Sequence, residues 1–275
     1  MKQKIAIIKL GAIGDVLRTT PILRVLKGEI TWITDSDSVR LLEGNPYIKE
    51  IVPFCEFNRI ANKNFDWIIN LEEDWRARAL ENMIASPKKT GWNPIWCLMS
   101  IDDDVKKANK ETYQWHMFKS IGKKFNGQEY VLSIKPKKVK RPIIGIEMRS
   151  GDRWPTKRWH KFPELIGLLK KKGLQVKIFD FREDLKDFSK DINDCKIVVS
   201  GDTLSMHLGL ALEKNVIAIF GPTSSNEIYG YGRMTKIISP LKCVCCYKRN
   251  CEKKPNCMDA IKLKEVFKAI EKNLG

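Results

Sequence analysis

The stretch Ile5-Ala6-Ile7-Ile8-Lys9-Leu10-Gly11-Ala12-Ile13-Gly14-Asp15-Val16-Leu17-Arg18-Thr19-Thr20-Pro21 decides the fold class. Ile5 to Ile8 form an apolar run of strand length, Gly11 and Gly14 flank a turn, and residues 16–26 place apolar side chains at helical spacing. Strand, glycine loop and helix in that order open a parallel α/β sheet. Working outward, further strands are predicted at 30–33, 48–54 and 67–71, with a short helix at 39–42 and a longer one near 75–84. The alternation restarts with strands at 143–148, 175–179, 196–199 and 216–220, separated by helices at 162–172, 185–190 and 204–212. The expectation is an α/β protein of two Rossmann-like domains with parallel, doubly wound sheets. The break between them is Ile134-Lys135-Pro136-Lys137-Lys138-Val139-Lys140-Arg141-Pro142, rich in lysine and proline and without periodicity. We therefore expect a first domain over residues 1–135, an exposed linker at 136–142, and a second domain over 143–259 that holds a cysteine cluster. A last amphipathic helix is expected over 260–275, with Ile261, Leu263, Val266, Phe267 and Ile270 on one face.

A chain of 275 residues accommodates two such domains, and 43% hydrophobic with 30% charged residues is globular composition. The longest apolar runs, such as 5–8 and 216–220, fall far short of the roughly 20 residues that a membrane helix needs. The first residues pass through two lysines straight into a strand pattern, without the apolar region and cleavage site of a secretion signal, so the cytoplasm is the expected location. A net charge of +17 favours anionic partners on approach: nucleic acid, an anionic membrane face or a phosphorylated substrate. The lysines are spread along the chain, which a simply solvated basic surface would also explain.

Three segments carry residues suited to chemistry. Asp15 sits where a helix starts after the first strand, the end of the sheet where doubly wound folds bind ligands; a helix-capping carboxylate would occupy the same place. The loop is not a full G-x-G-x-x-G, which counts against a nicotinamide cofactor. In Ser200-Gly201-Asp202-Thr203-Leu204-Ser205-Met206-His207 a strand again runs into a helix, and Phe220-Gly221-Pro222-Thr223 follows one strand later. Free N–H groups at such a helix start suit a diphosphate, and His207, one turn in, is placed to reach a phosphate or to pack in the helix. Met148-Arg149-Ser150-Gly151-Asp152-Arg153-Trp154-Pro155-Thr156-Lys157-Arg158-Trp159 puts three arginines and a lysine around a loop at the end of a strand. Arginine forks and lysine point charges both suit phosphate oxygens, and two tryptophans in one loop usually pack or stack on something.

In order and at similar spacing, the phrases KLGAIGDVLRTTP, WPTKRW and GDTLSMHLGLALEKNVIAIFGPT resemble the ADP-heptose:lipopolysaccharide heptosyltransferases, glycosyltransferase family 9. The resemblance spans nearly the whole chain. It implies two facing Rossmann-like domains of the GT-B type, with the donor held mainly by the second and the acceptor by the first. Asp15 falls on the family's proposed general base. Lys157 falls on a lysine that meets the donor diphosphate, and Asp202, Thr203 and His207 fall on the donor-site motif. Lys9 matches a basic position ahead of the first loop, and Gly14, Arg149, Gly221 and Thr223 complete the candidate donor-binding set. The chain departs from the family pattern at Leu204, where a glycine is usual, and at Phe179-Asp180-Phe181-Arg182-Glu183, which replaces a glycine-containing loop. It is also shorter than typical members.

Five of the eight cysteines lie close together: Cys243, Cys245, Cys246, Cys251 and Cys257. Omitting Cys245 leaves a C-x2-C-x4-C-x5-C spacing, compatible with Cys243, Cys246, Cys251 and Cys257 binding a structural zinc or iron; free or disulfide-paired thiols are the alternatives. Similar clusters occur in many members of the resembled family.

The leading expectation is an inverting glycosyltransferase that transfers a heptose or related sugar from a nucleotide-diphosphate donor, ADP-heptose-like, to a glycan or lipid-linked acceptor of lipopolysaccharide type. No acidic D-x-D is needed for that chemistry, so no catalytic metal or other cofactor is expected. Peripheral contact with the anionic inner face of the membrane would suit the basic surface. A protein glycosyltransferase is the alternative among enzymes. A nucleic-acid-binding protein is the alternative of another class, and the three ordered site phrases disfavour it.

Overall fold

A computed structural model describes residues 2–92, 94–151 and 154–274. The chain divides into two compact units, Met1–Val105 with Asn109–Ser133, and Lys106–Ala108 with Ile134–Gly275.

The first unit is built on a five-stranded sheet in the order β3-β2-β1-β4-β5. Its strands are β1 (Lys4–Ile8), β2 (Glu29–Thr34), β3 (Ile48–Pro53), β4 (Trp67–Asn70) and β5 (Lys89–Gly91). Neighbouring strands are parallel throughout. A central parallel strand is covered on both faces, so it must be apolar along its length rather than alternating. Ile5, Ala6, Ile7 and Ile8 of β1 are all fully buried, each isoleucine stabilising the sheet by on the order of 2 kcal/mol. The helix predicted over 16–26 is Ile13–Thr19 followed by a tighter turn over Thr20–Arg24. Pro21 explains the change, since it has no N–H to continue an α-helical ladder.

The second unit has a five-stranded sheet in the order β10-β9-β8-β6-β7, again parallel at every pairing. The strands are β6 (Ile143–Ile146), β7 (Gln175–Ile178), β8 (Ile197–Gly201), β9 (Asn215–Phe220) and β10 (Met234–Ile238). Its core joins Ile144, Val199 and Ile217 of the sheet to Leu165 and Leu169 of helix Phe162–Lys171 and to Val266 and Ile270 of helix Leu263–Leu274. The last helix therefore belongs to this unit's hydrophobic core.

In both sheets the strand order reverses beside the first strand of the unit, between β1 and β4 and between β6 and β8. Loops leaving the carboxyl ends of strands at such a point diverge and open a crevice, which is where doubly wound folds place their ligands.

The lysine-rich stretch is mostly exposed yet tethered. Asn193 donates through Nδ2 to the Lys135 carbonyl at 2.9 Å and accepts through Oδ1 from the Lys137 amide at 2.9 Å. The Lys214 ammonium donates to the Lys137 carbonyl at 2.6 Å.

Candidate functional site

At the reversal point of the first unit the chain leaves β1 through Lys9, Leu10 and Gly11. One oxygen of Glu72, just past β4, accepts from the Lys9 ammonium at 3.1 Å and from the amides of Leu10 at 3.0 Å and Gly11 at 3.2 Å. Asn70 Oδ1 in turn accepts from the Glu72 amide at 3.0 Å. Glu72 thus fastens the glycine loop to the end of the neighbouring strand. Lys9 is only 5% exposed. Burial works against its charge, but Tyr113, Glu72 and Asp15 outweigh it and hold the ammonium above its ordinary pKa.

The helix that follows takes Ala12 as its N-cap, with no side-chain cap, so Asp15 does not serve as the cap. Asp15 lies in the first turn together with Gly14, and its carboxylate pairs with the Arg18 guanidinium at 3.0 Å. Arg18 lies over the Tyr113 ring, 3.8 Å from its centroid, and the Tyr113 hydroxyl is 2.8 Å from Thr19 Oγ1. Trp92 and Trp96 flank the same ring edge-on, at 5.0 and 5.1 Å between centroids. The Asp15 side chain keeps 37% of its surface in solvent, against 13% for Arg18. It is an oriented carboxylate that an incoming hydroxyl can reach.

In the second unit, Glu147 follows β6 and is buried. Its carboxylate receives the Arg149 amide at 2.9 Å, both Arg149 guanidinium contacts at 2.8 Å and the Ser205 hydroxyl at 3.1 Å. Arg149 also donates to the Asp180 carbonyl at 3.1 Å. The hydrogen bonds that the guanidinium donates to Glu147 are the main reason that its pKa lies above the usual value.

Asp202 and Thr203 follow β8 and lead into helix Leu204–Ala211, with Thr203 at the N-cap position. The Thr203 hydroxyl is engaged by Ser200 at 2.8 Å rather than by the helix. Lys157 donates to the Asp202 carboxylate at 3.0 Å and to its carbonyl at 3.1 Å. Burial disfavours the charged form of Asp202, but Lys157 and His207 overcome it and bring the carboxyl down to about 2. His207 itself is buried. Gly221 and Thr223 follow β9, and Gly221 passes so near Cys257 and Met258 that an added Cβ would lie 2.7 Å from either sulfur. The loops after β6, β8 and β9 thus gather Arg149, Lys157, Asp202, Thr203, His207 and Thr223 at one end of one sheet. A lysine, a guanidinium and a helix start are the groups that hold a diphosphate. Of the two tryptophans around Lys157, Trp159 is a core residue whose indole donates to the Ile261 carbonyl at 3.3 Å. Arg153 and Asp152 lie outside the described residues.

All eight cysteines are free thiols. Burial, followed by the proximity of Cys246, Cys251 and Cys243, pushes the Cys257 thiol up to about 11. The four cysteines of the expected ligand set therefore share one neighbourhood. Among the described residues, however, no three His, Cys, Asp or Glu side chains are grouped so as to hold a metal ion.

Residues 181–256 match Glycosyltransferase family 9 (heptosyltransferase), a span that includes Asp202, Thr203, His207, Gly221 and Thr223. Lipopolysaccharide heptosyltransferase 1 of Salmonella typhimurium is 32% identical over 107 residues, which is 31% of this chain and 33% of that relative. Over this stretch the chain is similar to glycosyltransferase family 9. The matched stretch spans about a third of the length of that curated relative. The fold is shared far more widely than the sequence. The E. coli heptosyltransferase WaaC with ADP superposes with a TM-score of 0.71 at 17% identity, covering 98% of this chain and 99% of that one. The iron-containing dodecameric glycosyltransferase TibC from enterotoxigenic E. coli gives 0.65 at 15% identity, covering 100% of this chain and 77% of that one.

Glu72, Arg18, Tyr113 and Glu147 surround the candidate site residues, and the sequence reading passes over them. Glu72 and Glu147 carry a readable signal, since each is an acidic residue within two positions of the end of a buried strand at a reversal point. Tyr113 meets Thr19 across 94 residues of sequence, and no local pattern announces that.

Proposed function

We propose that this chain is an inverting, metal-independent glycosyltransferase that moves a heptose or a related sugar from a nucleoside-diphosphate donor to a glycan or lipopolysaccharide-type acceptor. The observation that carries the reading is the cluster of Lys157, Asp202 and the start of helix Leu204–Ala211, which lies within or beside the span that matches the family. An adenosine diphosphate donor is the first choice, because a structure of similar fold is described with ADP.

In this scheme Asp15 takes the proton of the acceptor hydroxyl as its oxygen attacks the anomeric carbon. The bond to the diphosphate breaks on the opposite face, which inverts the anomeric centre in one displacement. The departing diphosphate gains charge, and Lys157, Arg149 and the N–H groups opening helix Leu204–Ala211 offset it. Asp202 holds Lys157 in place for that role, being ionised at any working pH. Glu147 does the same for Arg149. Lys9 and Glu72 fix the loop that carries Asp15.

The four cysteines that share this neighbourhood suit a thiophilic structural cation; the likeness to an iron-containing transferase supports the same reading. Such an ion takes no part in the transfer.

Asp15→Asn tests the assignment. Transfer should fall by about a hundredfold or more, the usual contribution of a general base, while ADP binding measured by calorimetry stays within about twofold of wild type. Turnover retained in that variant would remove Asp15 from the base role.

A further inference from the structure

We infer that Tyr247, carried on the cysteine-rich segment, is a positioning residue of the donor site: it locks the loop that runs from Gly221 to Glu227. The inference rests on the reading above, in which the second unit holds a nucleoside diphosphate.

The cysteine-rich segment runs alongside that loop and meets it almost residue by residue. The Cys245 amide donates to the Gly221 carbonyl at 3.1 Å, and the Tyr247 amide donates to the Pro222 carbonyl at 2.8 Å. The Cys245 thiol lies 3.7 Å from the Thr223 carbonyl. The Tyr247 hydroxyl then accepts from the Ser224 amide at 3.1 Å and donates to Glu227 at 2.5 Å. Both functions of that oxygen are used, and they join two ends of the loop through one atom.

Two features show that the segment is shaped for this contact. Cys245 and Tyr247 both adopt the left-handed backbone region, with φ of 59° and 50°, which side-chain-bearing residues enter only where surrounding contacts hold them there. The loop is clamped from its other side as well, since the buried part of Lys236 donates to the carbonyls of Ser225 at 2.6 Å and Ile228 at 2.7 Å. Beneath it, Gly221 packs against Cys257 and Met258 with no room for a side chain. The loop so fixed carries Thr223 beside Asp202, at the end of β9 where the donor diphosphate is expected.

The Tyr247 hydroxyl is thus the atom through which the segment holds the loop at both Ser224 and Glu227. Its loss would leave the Ser224 amide and the Glu227 carboxylate without this partner, and the loop would sample orientations in which the donor site is incomplete.

The experiment is Tyr247→Phe, which removes the hydroxyl and keeps the ring, with ADP as the probe. The dissociation constant for ADP should rise by about tenfold, as for one lost hydrogen bond, while melting without ADP shifts by no more than about 2 °C. A second pair of variants separates positioning from packing: Glu227→Ala, which removes the acceptor, should weaken ADP binding similarly, and Glu227→Gln, which restores one, should recover it. Equal ADP affinity in wild type, Tyr247→Phe and Glu227→Ala overturns the inference alone. Failure of the wild-type protein to bind ADP overturns both the inference and the donor reading beneath it.

Discussion

Asp202 is enclosed by Lys157 and His207 and stays ionised down to about pH 2, whereas Asp15 keeps 37% of its side chain in solvent beside Arg18. A carboxylate that must never change charge is useful for holding a lysine; one that can meet a hydroxyl and take up its proton is useful as a base. The environment, not the residue type, separates the two roles. His116 shows the same control of protonation for stability. Burial, with a smaller push from Lys119, lowers its pKa to about 4, and its Nε2 lies 3.1 Å from Asn109 Oδ1. As pH falls below the ordinary histidine value of about 6.5, the unfolded chain takes up a proton that the folded protein still refuses, so stability drops between about 6.5 and 4. We expect His116 to account for on the order of 2 kcal/mol of that acid loss. Urea midpoints of wild type and His116→Gln at pH 7 and 4.5 check it; an equally steep acid loss in both proteins would discharge His116 from this role. Asp202 acts in a lower window, its contribution being present above the ordinary carboxylate pKa and lost only toward pH 2.

Sequence reading locates β1, β4, β6, β8 and β9 because burial on both faces leaves an unbroken apolar run, and it also locates β2 and the less buried β3 and β7. The two it omits sit at sheet edges: β5 is three residues, Lys89–Gly91, and β10 places Thr235 and Lys236 inside its run. The helices Pro94–Ile101, Asp103–Ala108 and Tyr113–Ser120 were also unread, and with them the aromatic group around Tyr113. Short helices without strong periodicity leave little to detect. The motif that we propose for the donor is legible because its residues follow one another after two strands; its fastening to Tyr247 is not, because that contact crosses 23 residues of turn-rich chain. The cysteines of that segment supply the test at this scale. If they close on a cation, purified protein should carry about one equivalent of zinc or iron, and either chelation or Cys246→Ser should lower the melting temperature by several degrees, as loss of a structural metal does. Absence of metal together with unchanged melting would dismiss the structural ion.

Taken whole, the molecule carries a net charge of +17, and among its described residues no helix is long and apolar enough to cross a membrane. Our proposal of a lipid-linked acceptor would be served by attraction of this basic chain to an anionic surface. Association with vesicles rich in phosphatidylglycerol should be measurable at 0.1 M salt and largely lost near 1 M, where the screening length shrinks from about 10 Å to about 3 Å. Salt-independent association, or none at low salt, would rule out that mode of recruitment. The tethered lysine stretch has a practical corollary. Asn193 grips it at Lys135 and Lys137 from inside the second unit, so a gene fragment begun at Ile143, the first residue of β6, would discard both of these hydrogen-bond partners of Asn193. A fragment begun at Ile134 retains both halves of that grip, which makes it the better starting point for expressing and crystallising the second unit on its own.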